Sequence, residues 1–182
     1  MSRIVDINGL YDLYYKDNPQ LRRIIFIHSN QVARKALEIV KAKNIAIDSH
    51  LVYLGAMLHD IGVVKCHAPE IYAFGDLPYI CHGIEGKNIL QKHGLYQLAG
   101  FCERHTGSGL TAKEISLANL PLPKKDMLPV TLEEKLICYA DKFFSKGGDL
   151  TKEKSILEIE NQMKRYGDEV LNRFQALHKM FA

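Results

Sequence analysis

Residues 54–65 read Leu-Gly-Ala-Met-Leu-His-Asp-Ile-Gly-Val-Val-Lys. An apolar run that ends in an imidazole and a carboxylate is costly to bury unless both groups are paired, hydrogen-bonded or bound to a metal. The run reads as the end of a helix. Asp48 or Ser49 caps its start, Leu51, Leu54, Gly55 and Leu58 share its buried stripe, His59-Asp60 closes it, and Gly62 lies just past its end.

Helical signals continue on both sides. Upstream, Asn18-Pro19 is an N-cap followed by proline at the first helical position, and the helix it opens runs to about Lys43. Leu21, Ile25, His28, Val32, Ala36 and Ile39 form one stripe of that helix. Downstream, an irregular loop from Lys65 to Tyr79 holds Pro69, Gly75 and Pro78, and a third helix starts near His82. A fourth spans roughly Tyr96 to Arg104 with Leu98, Phe101 and Cys102 inward, and Gly107 to Met127 is a loop or short helix. Thr131-Leu-Glu-Glu134 is a capping-box pattern opening a fifth helix through Ile137, Ala140 and Phe144, ended by Gly147-Gly148. From Lys152 onward come one or two amphipathic helices broken at Gly167. No alternating strand pattern, repeat or linker divides the chain, so residues 1–182 are expected to form one all-α domain. The stripe Ile156, Ile159, Met163, Val170, Phe174 and Leu177 is expected to cap the bundle rather than bury against a second chain, which leaves monomer and homodimer both open.

Composition fits this picture. With 182 residues, 47% apolar and 25% charged, the chain has the makings of one soluble domain with a sizeable core. Lys and Arg number 24 against 21 Asp and Glu, a formal +3, too small for a surface that coats nucleic acid. No apolar run approaches the roughly 20 residues of a membrane span, and no basic-then-apolar leader opens the chain, so a cytoplasmic protein is expected. Cys66, Cys81, Cys102 and Cys138 lie far apart with no C-x-x-C pair, which argues against a zinc ribbon or a thioredoxin-type site and reads as reduced, buried thiols.

Several histidines fall where apolar residues belong. His28 sits one turn from both Ile24 and Val32 on its stripe. Asp141 follows the apolar run Leu136–Ala140 and shares a face with Ile137 and Phe144. His82 stands at a helix start and His105 at a helix end, where a surface histidine or a dipole-stabilised imidazolium would be ordinary. Each alone has a bland explanation, a satisfied core histidine or a carboxylate paired with a basic side chain. Together they close apolar stripes of one core.

The order His28, His59-Asp60, His82, His105, Asp141, with the His-Asp-Ile-Gly tetrapeptide at 59–62, resembles the HD-domain superfamily of metal-dependent phosphohydrolases in its six-ligand, two-metal form. The resemblance covers about residues 20–146, with 152–182 as a helical extension packing on the core, and implies a bundle of about five core helices. It assigns His28, His59, Asp60 and Asp141 to one metal, and His82 and His105 to a second, with Asp60 bridging. Imidazole and carboxylate without thiolate suit iron, manganese, nickel, cobalt or zinc. Two such divalent ions about 3.5–4 Å apart turn a bridging water into hydroxide near neutral pH and neutralise a phosphoryl group, so no protein nucleophile is needed. No nucleophile elbow or P-loop is present.

The expected activity is hydrolysis of a small phosphate ester or anhydride, a nucleotide first among them. Donors for the phosphate are Arg104, Lys142, Lys65 and the loop Thr106-Gly-Ser-Gly109, through Thr106, Ser108 and their backbone amides. The loop Ala68–Tyr79 offers Tyr72, Phe74 and Tyr79 as an aromatic wall, and His67 as a residue that reaches the mouth; His50, His93 and His178 read as surface residues. Many relatives have lysine directly after the tetrapeptide, whereas Val63-Val64 intervene here before Lys65. The Gly-Tyr-Pro signature of cyclic dinucleotide phosphodiesterases is absent after it, and no basic helix points to a long nucleic acid or a membrane as partner. The same ligand order also resembles the mixed-valent di-iron oxygenases of the HD fold, which act on a polyol or a phosphonate; the ligands alone do not separate the two.

Overall fold

A computed structural model describes residues 5–182. Among them are nine α-helices: α1 (Ile7–Tyr15), α2 (Pro19–Lys43), α3 (Ser49–Leu58), α4 (His82–Lys92), α5 (Ala99–Glu103), α6 (Ala112–Leu117), α7 (Leu132–Asp141), α8 (Ile156–Lys164) and α9 (Asp168–Phe181). The expected five-helix core corresponds to α2, α3, α4, α5 and α7, and α2 packs against both α3 and α7. Local chemistry sets the starts. The Asn18 side chain accepts from the Leu21 amide ahead of Pro19, Asp48 accepts from His50 and Leu51, and Thr131 accepts from Glu134.

The ends differ more from expectation. α3 stops at Leu58 and the chain continues through His59-Asp60 into a 3-10 helix over Ile61–Lys65. α7 stops at Asp141, six residues before Gly147, because its last turn tightens into i→i+3 bonds from Lys142, Phe143 and Phe144. The box at Thr131 is half-made: the Glu134 carboxylate bonds Val130 and Arg104 instead of the Thr131 amide. Complete boxes stand at Thr111–Glu114 and Ser155–Glu158. The fourth helix begins as a 3-10 turn over Tyr96–Leu98 before α5.

The loop after the tetrapeptide contains what the sequence did not suggest, a three-stranded sheet in the order β2-β1-β3, with β1 (Cys66–Ala68), β2 (Ala73–Phe74) and β3 (Leu77–Pro78). β1 runs antiparallel to β2, pairing His67 with Phe74, and parallel to β3, pairing Cys66 with Leu77. Strands of two or three residues are too short for a period-2 pattern to show.

One apolar core unites the bundle. Ile159, Met163, Val170, Phe174, Leu177 and Phe181 of α8 and α9 are buried in the same cluster as Leu21 and Ile25 of α2 and Leu58. Gly167, at φ +124, separates α8 from α9. Gly62 is a packing glycine rather than a helix-ending one: a methyl group there would run into the His82 carbonyl and the Gly86 amide of α4. That close approach sets the start of α4 against the end of α3. All four cysteines are buried free thiols. No helix among the described residues is long and apolar enough to cross a membrane.

Candidate metal centre

Six side chains from five places in the chain meet at the centre of this core. His28 comes from the middle of α2, His59-Asp60 from the end of α3, His82 from the first position of α4, His105 from the loop after α5 and Asp141 from the last position of α7. His28, His59 and Asp60 are fully buried, and the other three nearly so. Their candidate ligand atoms form two groups, His28, His59, Asp60 and Asp141 in one, and Asp60, His82 and His105 in the other, each group within 4.8 Å across.

Asp60 belongs to both groups through different oxygens. Its Oδ2 lies 3.2 Å from His28 Nε2 and 3.1 Å from His59 Nε2. Its Oδ1 lies 3.6 Å from His82 Nε2 and 3.4 Å from His105 Nε2. Asp141 Oδ1 completes the first group, 2.9 Å from His28 Nε2 and 3.4 Å from His59 Nε2.

The hydrogen bonds around the cluster decide what it can hold. The Nδ1–H groups of His59, His82 and His105 donate to the carbonyls of Ala56 (2.7 Å), Tyr79 (2.7 Å) and Phe101 (2.9 Å). A carbonyl only accepts, so Nδ1 carries a proton in each ring, and the neutral form of each ring turns the lone pair of Nε2 inward. His82 Nε2 and His105 Nε2 then face each other at 3.0 Å as two acceptors. Asp60 Oδ1 and His59 Nε2 find no well-formed hydrogen bond, Asp60 Oδ2 has only the ion-pair contact of the Lys146 ammonium beside its histidines, and His28 Nδ1 is buried without a partner. Converging buried acceptors of this kind are satisfied by a cation. A proton serves poorly at the second group, because burial and the neighbouring His105 push His82 down to about 3. At the first group, burial pulls His59 down, but Asp60 and Asp141 outweigh it and hold it at about 9. Burial would raise both carboxyls; His59 and Lys146 hold Asp60, and Lys142 and Lys146 hold Asp141, well below the usual range. The donor set fits divalent metal ions of the borderline class.

A cavity of about 500 Å³ opens on the second group. His82, His105 and Asp141 form its floor; His28 and His59 lie behind. Of the residues expected to meet substrate, Thr106 and Lys142 line it. The Lys142 ammonium donates to the His105 carbonyl (3.0 Å) and stands 2.6 Å from Asp141 Oδ2. Three expectations are corrected. Arg104 makes a two-pronged bond to Glu134 at 2.8 and 3.0 Å, outside the cavity, because a buried carboxylate there needs a partner. Lys65 is exposed, since its 3-10 helix buries Ile61, Gly62 and Val63 and turns the fifth position outward. Ser108 is buried but its hydroxyl donates to the Val170 carbonyl of α9, which makes it a brace.

The aromatic wall shrinks to Tyr79, stacked on the His82 ring at 4.7 Å; Phe74 on β2 and Tyr72 in the turn before it are exposed, and His67 does not line the cavity. His50 is exposed as expected, whereas His93 and His178 are half-buried against the hydroxyls of Tyr14 and Tyr139. Lys146 and Lys154, not singled out in the sequence, also line the cavity. Lys146 Nζ stands 2.7 Å from Asp60 Oδ2, and Lys154 donates to Gln162. The available signal was four lysines, Lys142, Lys146, Lys152 and Lys154, on one connection that starts beside Asp141 and straddles a glycine pair.

The fold and the cluster define a helical, metal-binding domain. The chain belongs to the HD domain family, whose model matches residues 25–145. It is 40% identical over 118 residues to an uncharacterized protein of Methanocaldococcus jannaschii, a match covering 63% of this chain and 62% of that one. It is 34% identical over 161 residues to a tRNA (cytidine(56)-2'-O)-methyltransferase of Picrophilus torridus, covering 86% of this chain and 41% of the relative. A protein of the same name from Thermoplasma volcanium is 29% identical over 180 residues, covering 98% and 47%. The chain thus spans less than two thirds of each of these relatives. No solved structure matches it.

Proposed function

We propose that this protein is a metal-dependent hydrolase of a small phosphate ester or anhydride, with a nucleotide as the substrate class. The observation that carries the reading is the cluster beneath the cavity, where the buried Asp60 presents one oxygen to each of two histidine pairs, only His82 and His105 of which line the cavity, along with three lysines. In this reading His28, His59, Asp60 and Asp141 hold one divalent ion, and Asp60, His82 and His105 hold the second. Bound there, the pair would supply Lewis-acid charge and an activated water for attack at phosphorus.

The chain's own residues do the rest. Lys142, Lys146 and Lys154 and the Thr106 hydroxyl orient the phosphate over the second group. Lys142 is held in place by the His105 carbonyl and Asp141, so its ammonium is pre-set rather than recruited. Ile80, Leu110, Leu120, Met163 and Tyr166 line the remainder of the cavity with apolar surface suited to a nucleobase. The methyltransferase name of the two longer relatives is not extended to this chain, because methyl transfer gives no role to six buried ligand-type side chains.

The test is a panel of mononucleotides, dinucleoside polyphosphates and cyclic nucleotides, assayed under argon with added manganese, iron, cobalt or nickel. Phosphate release that Asp60→Ala abolishes is the expected result, and argon separates it from dioxygen chemistry. No release from any member of the panel overturns the reading.

A further inference from the structure

The two carboxylates of the first ligand group each carry a lysine, in different ways. Asp141 divides its oxygens: Oδ1 faces His28 and His59, and Oδ2 faces Lys142 at 2.6 Å. Asp60 has no oxygen to spare. Its Oδ1 faces His82 and His105, so the Lys146 ammonium stands 2.7 Å from Oδ2, the same oxygen that faces His28 and His59. Any ion held by the first group therefore shares an oxygen with a fixed positive charge, and two cations on one carboxylate oxygen repel. Lys146 is well placed to be drawn elsewhere. It lines the cavity, its side chain is 14% exposed, and it directly precedes Gly147-Gly148, around which the structure leaves open space. The connection that carries it is pinned at its base by the Lys154 amide donating to the Phe143 carbonyl (2.8 Å) and by Lys35 pairing with Glu153.

We infer that Lys146 is a positioning residue that couples the two ligands of the site: it opposes a cation at the first group until a phosphate in the cavity takes its ammonium. This rests on the hydrolase reading above and adds a sign to it. A lysine that only binds substrate leaves metal affinity untouched, and one that only supports the fold weakens metal binding when removed. Lys146 as inferred does the opposite, and because coupling between sites is reciprocal, phosphate must tighten metal binding and metal must tighten phosphate binding.

The experiment is calorimetric titration of the full chain with manganese, with and without inorganic phosphate, for wild type, Lys146→Met and Lys146→Arg, with melting temperatures recorded. Expected is that Lys146→Met binds manganese about tenfold more tightly than wild type. Phosphate should tighten manganese binding in wild type and in Lys146→Arg, and by a smaller factor in Lys146→Met, where only the direct attraction between phosphate and metal remains. Unchanged or weaker manganese binding by Lys146→Met overturns the inference while leaving the hydrolase reading standing. So does a wild type whose manganese affinity ignores phosphate, a result that needs no variant to fold. A wild type that binds no divalent ion overturns both.

Discussion

The two ligand groups share a carboxylate and little else. The first, His28, His59, Asp60 and Asp141, rests on α2, the end of α3 and α7, the helices that pack on one another in the core. It is a closed set with two carboxylates, and its histidines lie behind the cavity floor. The second has one shared carboxylate and two histidines, His82 at the first residue of α4 and His105 in a loop, both facing the cavity. Its geometry depends on close approaches between elements rather than on positions along a packed helix. If each group holds an ion, as proposed, the site has an anchor and a working end. The anchor is made by core packing and tied to stability, and the working end is made by contacts that change without unfolding the bundle.

The comparison breaks most completely at Asp60, the residue both groups use. Asp60→Ala should lower phosphate release by about a thousandfold or more, because both groups lose a ligand at once. Helix content by circular dichroism should stay near wild type, since the helices are held by the surrounding apolar core.

Gly62→Ala should separate the groups. The added methyl meets the His82 carbonyl and the Gly86 amide, so α4 must shift and carry His82 away from Asp60. Overpacking of this kind costs about 1–3 kcal/mol. A lowered melting temperature with one metal retained is the expected pair of results. Loss of both metals would show that the groups are not mechanically distinct.

The smallest expected effect sharpens the role of α9 on the cavity side. Arg173 on α9 donates to the Gly109 carbonyl and to both carboxylate oxygens of Glu114, which lines the cavity. Arg173→Ala should cost about 1 kcal/mol at neutral pH, measured by denaturant unfolding. Burial alone would raise Glu114, but its bonds to Thr111 and Arg173 outweigh it and hold its pKa below the usual 4.5. A carboxylate lowered on folding contributes stability that is present above its unfolded pKa and lost as pH falls through the folded one. The difference between wild type and Arg173→Ala should therefore shrink as pH drops below about 4.5. A deficit that is the same at pH 3 and pH 7 would mean that Arg173 acts through packing alone.

The bundle was readable because its signals are local. Asn18-Pro19, Asp48 and Thr131 mark helix starts where the structure has them, and the stripe through His28 faces the core. The six residues of the cluster were legible by incongruity, as polar groups ending apolar stripes. What escaped depends on tertiary contact. Arg104 sits beside His105 in sequence, yet Glu134, thirty positions on, claims its guanidinium. Ser108 looks like an anion donor until Val170 takes its hydroxyl. Lys146 falls inside a helix that the sequence carried to Gly147-Gly148, whereas the helix stops at Asp141 and the turn over Lys142–Phe144 brings Lys146 back onto Asp60. Gly62 read as a helix stop because a close approach to α4 leaves no mark in the chain itself.

Metal stoichiometry of wild type, His82→Ala and Asp141→Ala, measured on folded protein with melting temperatures alongside, tests the two-group account most directly. The account predicts two metals per chain for wild type and about one for His82→Ala, with a near-native melting temperature. Asp141→Ala should lose most of both ions and melt lower, since an ion held at 100 times its dissociation constant stabilises by about 2.7 kcal/mol. Two metals in every variant, or loss of both from His82→Ala with none lost from Asp141→Ala, would contradict it.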